Sequence, residues 1–352
     1  MSLHQKKRES SRISAATLGA KARVGPRVAV VIPMYNAEAT VEDTLISVRE
    51  QDYRNLEIIV VDDGSADRSA QIVEHHMAED GRIHLIRQPN AGVAAARNRG
   101  AAATDAPYLA FVDADDLWSP HKISLQMAAM EAGGDRVGLV HCWFAQIDEA
   151  GRMFPLWRQK KVDGDALHQL CRTNFIGNGS SLLISRAAFE TAGGYDASLR
   201  ARRAQGCEDV LIGLRIAEHF EFRTVPEYLI GYRQSSLNMS SDVMQMMRSN
   251  DIVMTEYRKK FPHYRADLRI HSSEMMAWLI LKASQDGRFL SAMRLLWRLC
   301  WTDPSLGVTR LRPLVANFVR LRVKPVLAKI GVKRVRAAKA QPPRPLYTEE
   351  FR

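Results

Sequence analysis

Cysteine is scarce in this chain and scattered where it occurs. Cys142, Cys171, Cys207 and Cys300 form no C-x-x-C pair, which argues against a zinc site and suits a reduced, cytoplasmic protein with structural thiols. Long apolar runs are also lacking. The nearest approach, Met275 to Leu281, falls far short of the roughly 20 apolar residues that a membrane span requires. The N-terminus is basic but has no apolar core, so it does not read as a secretory signal. A soluble or peripheral protein is expected. Its 352 residues, 46% hydrophobic and 25% charged, have a globular composition and exceed the usual single-domain length, so one large domain with an appendage is predicted.

Acidic residues are missing from one long stretch. Residues 306 to 345 hold eleven Lys and Arg and no Asp or Glu, and residues 1 to 27 hold seven against one Glu. The overall charge of +11 therefore resides in the ends; residues 28 to 305 carry 31 basic and 36 acidic side chains. Such ends suit an anionic membrane surface, plain solvation or phosphate contacts. Nucleic acid ranks last, because no recognised nucleic-acid module accompanies the charge.

The most informative segment is Leu109-Ala-Phe-Val-Asp113-Ala-Asp115-Asp116-Leu-Trp118. An apolar run bounded by Pro107 and by acids reads as a buried strand with carboxylates at its C-terminal end. Three carboxylates so close repel one another unless a cation or a helix start accepts them. Oxygen ligands suit Mg2+ or Mn2+, and open α/β sheets bind ligands outside the carboxyl ends of their strands.

Other segments repeat this design. Val28 to Ile32 is a β-branched run stopped by Pro33, and Thr40-x-x-Asp43 reads as a capping box opening a helix. Leu56 to Val61 ends in Asp62-Asp63-Gly64-Ser65, where Ser65 or Asp67 can cap the next helix. Ile83 to Ile86 precedes Asn90-Ala-Gly92 and the helix Ala94 to Gly100. Alternating strands and helices predict an α/β fold with a parallel, doubly wound sheet. Further on, Val137 to Cys142 and Ser180 to Ile184 read as strands, Glu208 to Ile216 as an amphipathic helix, and Arg152 to Gln169 shows little pattern. Beyond residue 242 helical spacing dominates. The Met, Trp and Leu stripe there reads as core, the piece Val243 to Met247 is too short to assign, and Pro304, Pro313 and Pro325 divide the end into short basic amphipathic pieces.

Val-Ile32-Pro33-Met-Tyr35-Asn36, Val-Asp62-Asp63-Gly64-Ser65, Asn90-Ala-Gly92 with Ala-Arg97-Asn98-x-Gly100, and Asp113-Ala-Asp115-Asp116 together resemble the family-2 inverting glycosyltransferases of GT-A fold. The resemblance implies a mainly parallel central sheet flanked by helices, and a nucleoside pocket lined near Pro33, Tyr35, Asn36 and Gly92. Asp62 or Asp63 would bond the base or ribose. Asp113 and Asp115 would form the D-x-D, with Asp115 the likelier direct ligand of Mn2+ or Mg2+. Arg97 is either a phosphate ligand or a structural ion pair. Glu208-Asp209 matches the family's E-D pair, with Asp209 as general base and Glu208 orienting the acceptor, although an acid at a helix start is also favoured by the helix dipole. Arg233 is a candidate diphosphate contact. A metal-binding His found in some relatives is not evident, and neither is the Q-x-x-R-W motif of processive members.

The organisation expected is a basic tail over 1–27, a GT-A domain over 28–240 (nucleotide half 28–118, acceptor half 119–240), a helical extension over 241–305 and a basic tail over 306–352. The function implied is transfer of one sugar from a nucleotide sugar, UDP-linked by family habit, to a hydroxyl of a lipid-linked or polysaccharide acceptor, in the cytoplasm, either free or peripheral at the inner face of the plasma membrane. Two other readings compete. A nucleotide-sugar-binding protein without transfer is disfavoured by the intact Asp113, Asp115 and Asp209, and a basic nucleic-acid-binding module would depend on the ends alone.

Overall fold

A computed structural model describes residues 25–235 and 239–320. Most of both basic tails, with Pro325, lies outside the described residues. Four strands, Val28–Met34 (β1), Leu56–Asp62 (β2), Ile83–Arg87 (β3) and Tyr108–Phe111 (β4), alternate with helices Val41–Arg49 (α1), Ser69–Glu79 (α2) and Val93–Ala102 (α3). β1 is buried along its whole length, as a β-branched run covered by helices on both faces must be. It pairs in parallel with β2, from Val28 opposite Leu56 to Met34 opposite Asp62, and with β4. β2 pairs in parallel with β3. These four strands form the parallel unit expected from the sequence.

Beyond β4 the sheet becomes mixed. Leu117–Trp118 (β5), Lys122–Gly133 (α4), Val137–Ile147 (β6), Leu167–Arg172 (α5), Leu183–Ser185 (β7), Arg186–Thr191 (α6), Ser198–Ala201 (α7), Glu208–Ala217 (α8) and Glu221–Arg233 (β8) complete a sheet of order β3-β2-β1-β4-β7-β6-β8-β5. β7 runs antiparallel to β4 and β6, whereas β6 and β8 run parallel. One core lies between the sheet and α3, α6 and α8; the other lies under α1 and α4 on the opposite face. The carboxyl ends of β1, β2 and β4 thus emerge on one edge.

Val243–Lys260 (α9), Arg265–Gln285 (α10), Phe289–Thr302 (α11) and Pro304–Phe318 (α12) follow. Met246, Met247, Met276, Leu279, Ile280, Leu295 and Leu299 build a separate core among them. The Met-rich piece opens α9, whose start is capped by the Asp242 carboxylate accepting from the amides of Met244 and Gln245 at 3.2 and 2.9 Å.

Two local expectations differ, and one with two alternatives is decided. Thr40 makes no cap: its hydroxyl donates to the Ala114 carbonyl at 2.9 Å, clipping the start of α1 to the acidic loop instead. Asp67, rather than Ser65, receives the first amide of α2, from Ser69 at 3.0 Å. Neither Pro304 nor Pro313 breaks the last helix. Pro304 occupies its first turn, where no amide is needed, behind the Asp303 cap; Pro313 lies within α12, beside the buried Leu314 that anchors it. The packed helices therefore continue to Phe318.

Gly100 shows how tightly α3 sits on the sheet. A Cβ there would overlap the buried side chain of Val31 and press on Val61. Because the two valines are fixed at χ1 in a packed core, Gly100→Ala should destabilise by about 1–3 kcal/mol despite the better helix propensity of alanine. Urea unfolding of the two proteins checks this, and equal midpoints would refute the close contact.

Candidate active site

The acidic loop between β4 and β5 is held from below. Asp116 is fully buried, and its carboxylate accepts from the Ser180 hydroxyl at 2.5 Å and the Arg233 amide at 3.0 Å. The same Ser180 oxygen accepts from the Asp113 amide at 3.0 Å, while the Arg233 guanidinium donates to the carbonyls of Asp115 at 2.8 Å and Glu149 at 2.6 Å. One of the three neighbouring aspartates is thus an internal anchor, which leaves Asp113 and Asp115 to line the cavity above.

Arg97 enters from α3. It is buried, pairs with Asp113 at 2.5 Å and lies 5.1 Å above the Tyr195 ring. Gly179 makes room for it, since a Cβ there would stand 2.8 Å from the guanidinium. Burial and the Asp113 charge together push the Asp115 carboxyl up to about 7, well above its ordinary range.

The facing wall is the first turn of α8. Glu208 accepts from the Gly206 amide at 2.7 Å, and Cys207 donates its amide to Ser249 of α9 at 3.1 Å. Gly206 has φ 127 and packs against Met246, so no other residue suits that bend. Burial pushes the Asp209 carboxyl up to about 6, with Arg97 pulling in the opposite sense. The other Glu208 oxygen and both side-chain polar atoms of Asn178 are buried without a partner among the described residues. Such groups at a cavity wall are prepared for a ligand.

The cavity measures about 830 Å³, a volume in the range of small-molecule sites. Pro33, Tyr35, Asn36, Arg97, Asp113, Asp115, Glu208, Asp209 and Arg233 all line it. Asn36 has φ 48, and its side chain accepts from the Ala66 amide at 2.8 Å, tying the end of β1 to the loop after β2; Tyr35 stands exposed at the mouth.

Asp62, Asp63 and Gly92 are not among the lining residues. Asp62 accepts from the Ser65 amide at 2.9 Å. Asp63 accepts from the Gln88 side chain at 2.8 Å and from the amides of Ala91 and Gly92 at 2.7 Å each. Backbone donors of adjacent turns thus occupy these carboxylates, whose observed contacts brace the wall behind Tyr35. Gly92 supplies the positive φ that this turn needs.

Several lining residues escape sequence reasoning. Trp157 comes from the stretch with little pattern and meets Phe144 edge-on at 5.5 Å, and Phe144 meets Tyr232 at 5.7 Å. His271, Glu274 and Trp278 come from α10. The His271 ring bonds the Leu170 carbonyl at 2.9 Å, and burial holds it down at about 4, hence neutral at physiological pH. A stripe of helical spacing signals the buried face, but not that this face also borders a cavity.

No group of three or more His, Cys, Asp or Glu is arranged as a metal cluster among the described residues. The donor set nevertheless fits a hard divalent ion. Mg2+ is commonly held by one or two carboxylates together with waters and substrate phosphates, and Asp113 and Asp115 offer such a pair without soft ligands.

Residues 29–193 match the glycosyl transferase family 2 profile. The chain carries a family-2 glycosyltransferase domain. It is 39% identical over 119 residues to an uncharacterised glycosyltransferase, EpsJ, of Bacillus subtilis, covering 34% of each chain. It is 38% identical over 128 residues to the putative glycosyltransferase EpsH of that organism, covering 36% of each. A match at 39% over 106 residues, to the putative teichuronic acid biosynthesis glycosyltransferase TuaG, covers 30% of this chain and 42% of the relative. The chain thus spans only about a third to two-fifths of these relatives' length. Among solved structures, Staphylococcus aureus TarS 1–349 superposes with a TM-score of 0.58 at 14% identity, over 86% of this chain and 92% of that one. The mannosyltransferase PcManGT of Pyrobaculum calidifontis gives 0.55 at 20% identity, over 88% and 92%. These likenesses show the GT-A fold, helical C-terminal region included.

The crowding of Asp113, Asp115 and Asp116 opposes folding when no cation is present. Asp115→Asn removes one charge, so in EDTA at pH 8 it should stabilise the protein by on the order of 1–2 kcal/mol, as substitutions that relieve functional strain do. Thermal unfolding in EDTA tests this, and a variant less stable than wild type would contradict the repulsion.

Proposed function

We propose that the chain is a metal-dependent inverting glycosyltransferase that moves a single sugar from a nucleotide-sugar donor, UDP-linked by family habit, to a hydroxyl of a lipid-linked or polysaccharide acceptor. The observation that carries this reading is the convergence of Asp113 and Asp115 with Asp209 on one cavity. Donor-side and acceptor-side carboxylates are present together.

Tyr35, at the mouth beside Pro33 and Asn36, offers a ring face to a base. Asp113 and Asp115 would hold Mg2+ or Mn2+, which when bound neutralises charge on a diphosphate leaving group. Asp209 takes the proton of the acceptor hydroxyl as that oxygen bonds to the anomeric carbon; the bond to the diphosphate breaks, and configuration inverts. A carboxyl raised to about 6 is ionised at pH 7.5 yet more basic than an ordinary aspartate, which suits a general base. Glu208 and Asn178, with unpartnered polar atoms, are suited to orient the acceptor. Phe144, Trp157 and Trp278 provide aromatic surface for sugar rings. Arg233, whose guanidinium clasps the loop carrying Asp115, positions that loop.

Other proteins support the donor class. TarS has been solved with UDP and with UDP-GlcNAc, and PcManGT with GDP-Man and Mn2+. The name of TuaG connects a similar sequence to teichuronic acid biosynthesis, in keeping with a polysaccharide product.

Three measurements test the reading. A nucleotide at a hundredfold excess over its dissociation constant should raise stability by about 2.7 kcal/mol, only with Mn2+ or Mg2+ and only while Asp115 is intact; stabilisation of Asp115→Ala equal to wild type would remove the donor site from this loop. Asp209→Asn should lower turnover about 10²–10⁴-fold while leaving the donor-induced stabilisation intact. For wild type, kcat/KM should be flat above pH 7 and fall about tenfold per unit below 6, because the base works only when deprotonated. A variant retaining wild-type turnover would exclude Asp209 as the base.

A further inference from the structure

The last two helices present an apolar surface that covers nothing. On α11, Ala292, Leu295, Leu296 and Leu299 face the inner core, while Leu290, Met293, Trp297 and Trp301 recur at three- and four-residue steps on the opposite side. Leu290 is 81% exposed, Trp297 70% and Trp301 74%. On α12, Val308, Leu311 and Val315 are likewise exposed. The Phe289 and Phe318 rings meet edge-on at 5.1 Å, so α11 and α12 run antiparallel and their outer stripes belong to one hairpin. An exposed apolar patch of this size marks an interaction surface.

We propose that this face docks on an anionic lipid bilayer. Charge complementarity selects the occupant. Residues 288–320 of the hairpin hold six Arg, of which Arg298 pairs with Asp251, and Asp303 is the one acid among them; that carboxylate already caps α12. Arg294 and Arg312 flank the apolar stripes and are themselves exposed. Tryptophans on an amphipathic helix rich in basic residues, without the length to cross, describe an element that lies in the headgroup boundary. No described helix is long and apolar enough to span a membrane. A second copy of the chain would instead have to bring this basic surface against itself, at a repulsive cost.

The placement also has a geometric consequence. A groove of about 600 Å³ between α10 and the flank of α12 shares Glu274 and Trp278 with the catalytic cavity. A bilayer seated on the hairpin therefore lies beside the acceptor end, where a lipid-linked acceptor is needed. This last link rests on the transferase reading; the docking does not.

The test is flotation of the full-length protein with vesicles of phosphatidylglycerol and phosphatidylethanolamine, against phosphatidylcholine alone, for wild type and Trp297→Ala/Trp301→Ala. Wild type should partition at least tenfold better into the anionic vesicles, and brominated acyl chains should quench part of its tryptophan emission. The double variant should lose that quenching and at least tenfold in partitioning, with its unfolding transition and donor-induced thermal shift unchanged. Absence of wild-type flotation would overturn the proposal. So would anionic binding without bromine quenching, which assigns attachment to the basic tails alone, or a concentration-dependent wild-type dimer that the double substitution dissolves, which assigns the face to a second copy. Should the double variant fail to fold, quenching of wild type decides alone.

Discussion

A carboxylate without access to water holds the site in shape. Burial and the charges of Asp115 and Asp113 all disfavour ionised Asp116, yet it sits between the Ser180 hydroxyl and the Arg233 amide. Leaving such a buried group without one of its hydrogen-bond partners costs about 1–3 kcal/mol, so the three elements it joins are held together. They are the loop after β4, the turn before β7 and the end of β8. Since Ser180 also takes the Asp113 amide and Arg233 the Asp115 carbonyl, the positions of both cavity-lining aspartates follow from one internal knot. The parallel half of the sheet supplies the edge; this knot sets the loop upon it.

The parallel half was legible because its strands are short apolar runs, β-branched in β1 and β2, stopped by acids or proline, a pattern that burial favours. β7 was also expected as a strand, but nothing in its sequence signals where and in which direction it pairs. Three residues long and antiparallel at the centre of the sheet, it is determined by its neighbours and not by its own period. For the site, sequence reasoning located carboxylates at strand ends but not the direction of their lone pairs. Asp62, Asp63 and Asp116 resemble Asp113 and Asp115 in type and place; the difference lies in which backbone donors reach them. Trp157 lay beyond reach for another reason. Its segment has no regular structure, and its side chain borders the cavity because the Gln159 side chain bonds the Phe144 backbone in both directions, at 3.2 and 2.5 Å.

The helical extension is structurally part of the site. α9 supplies Ser249 behind Cys207 and Met246 behind Gly206, and so supports the turn that presents Asp209. α10 supplies His271, Glu274 and Trp278 to the wall. The sequence matches to curated relatives cover about a third of the chain, whereas the structural likeness covers 86–88%. Backbone arrangement therefore extends over more of the chain than the sequence matches do.

Arg97 connects the two ends electrically. Its pairing with Asp113 fixes that carboxylate, and the same charge acts on Asp209 against the effect of burial. Three acids, Asp113, Glu208 and Asp209, share the surroundings of this buried guanidinium, which lies over the Tyr195 ring in the space left by the missing side chain at position 179. A lysine would keep the charge but not the planar fork that lies against both a carboxylate and a ring. Glycine at 179 is thus tied to electrostatics, since a side chain there would meet the cation around which Asp113, Glu208 and Asp209 gather.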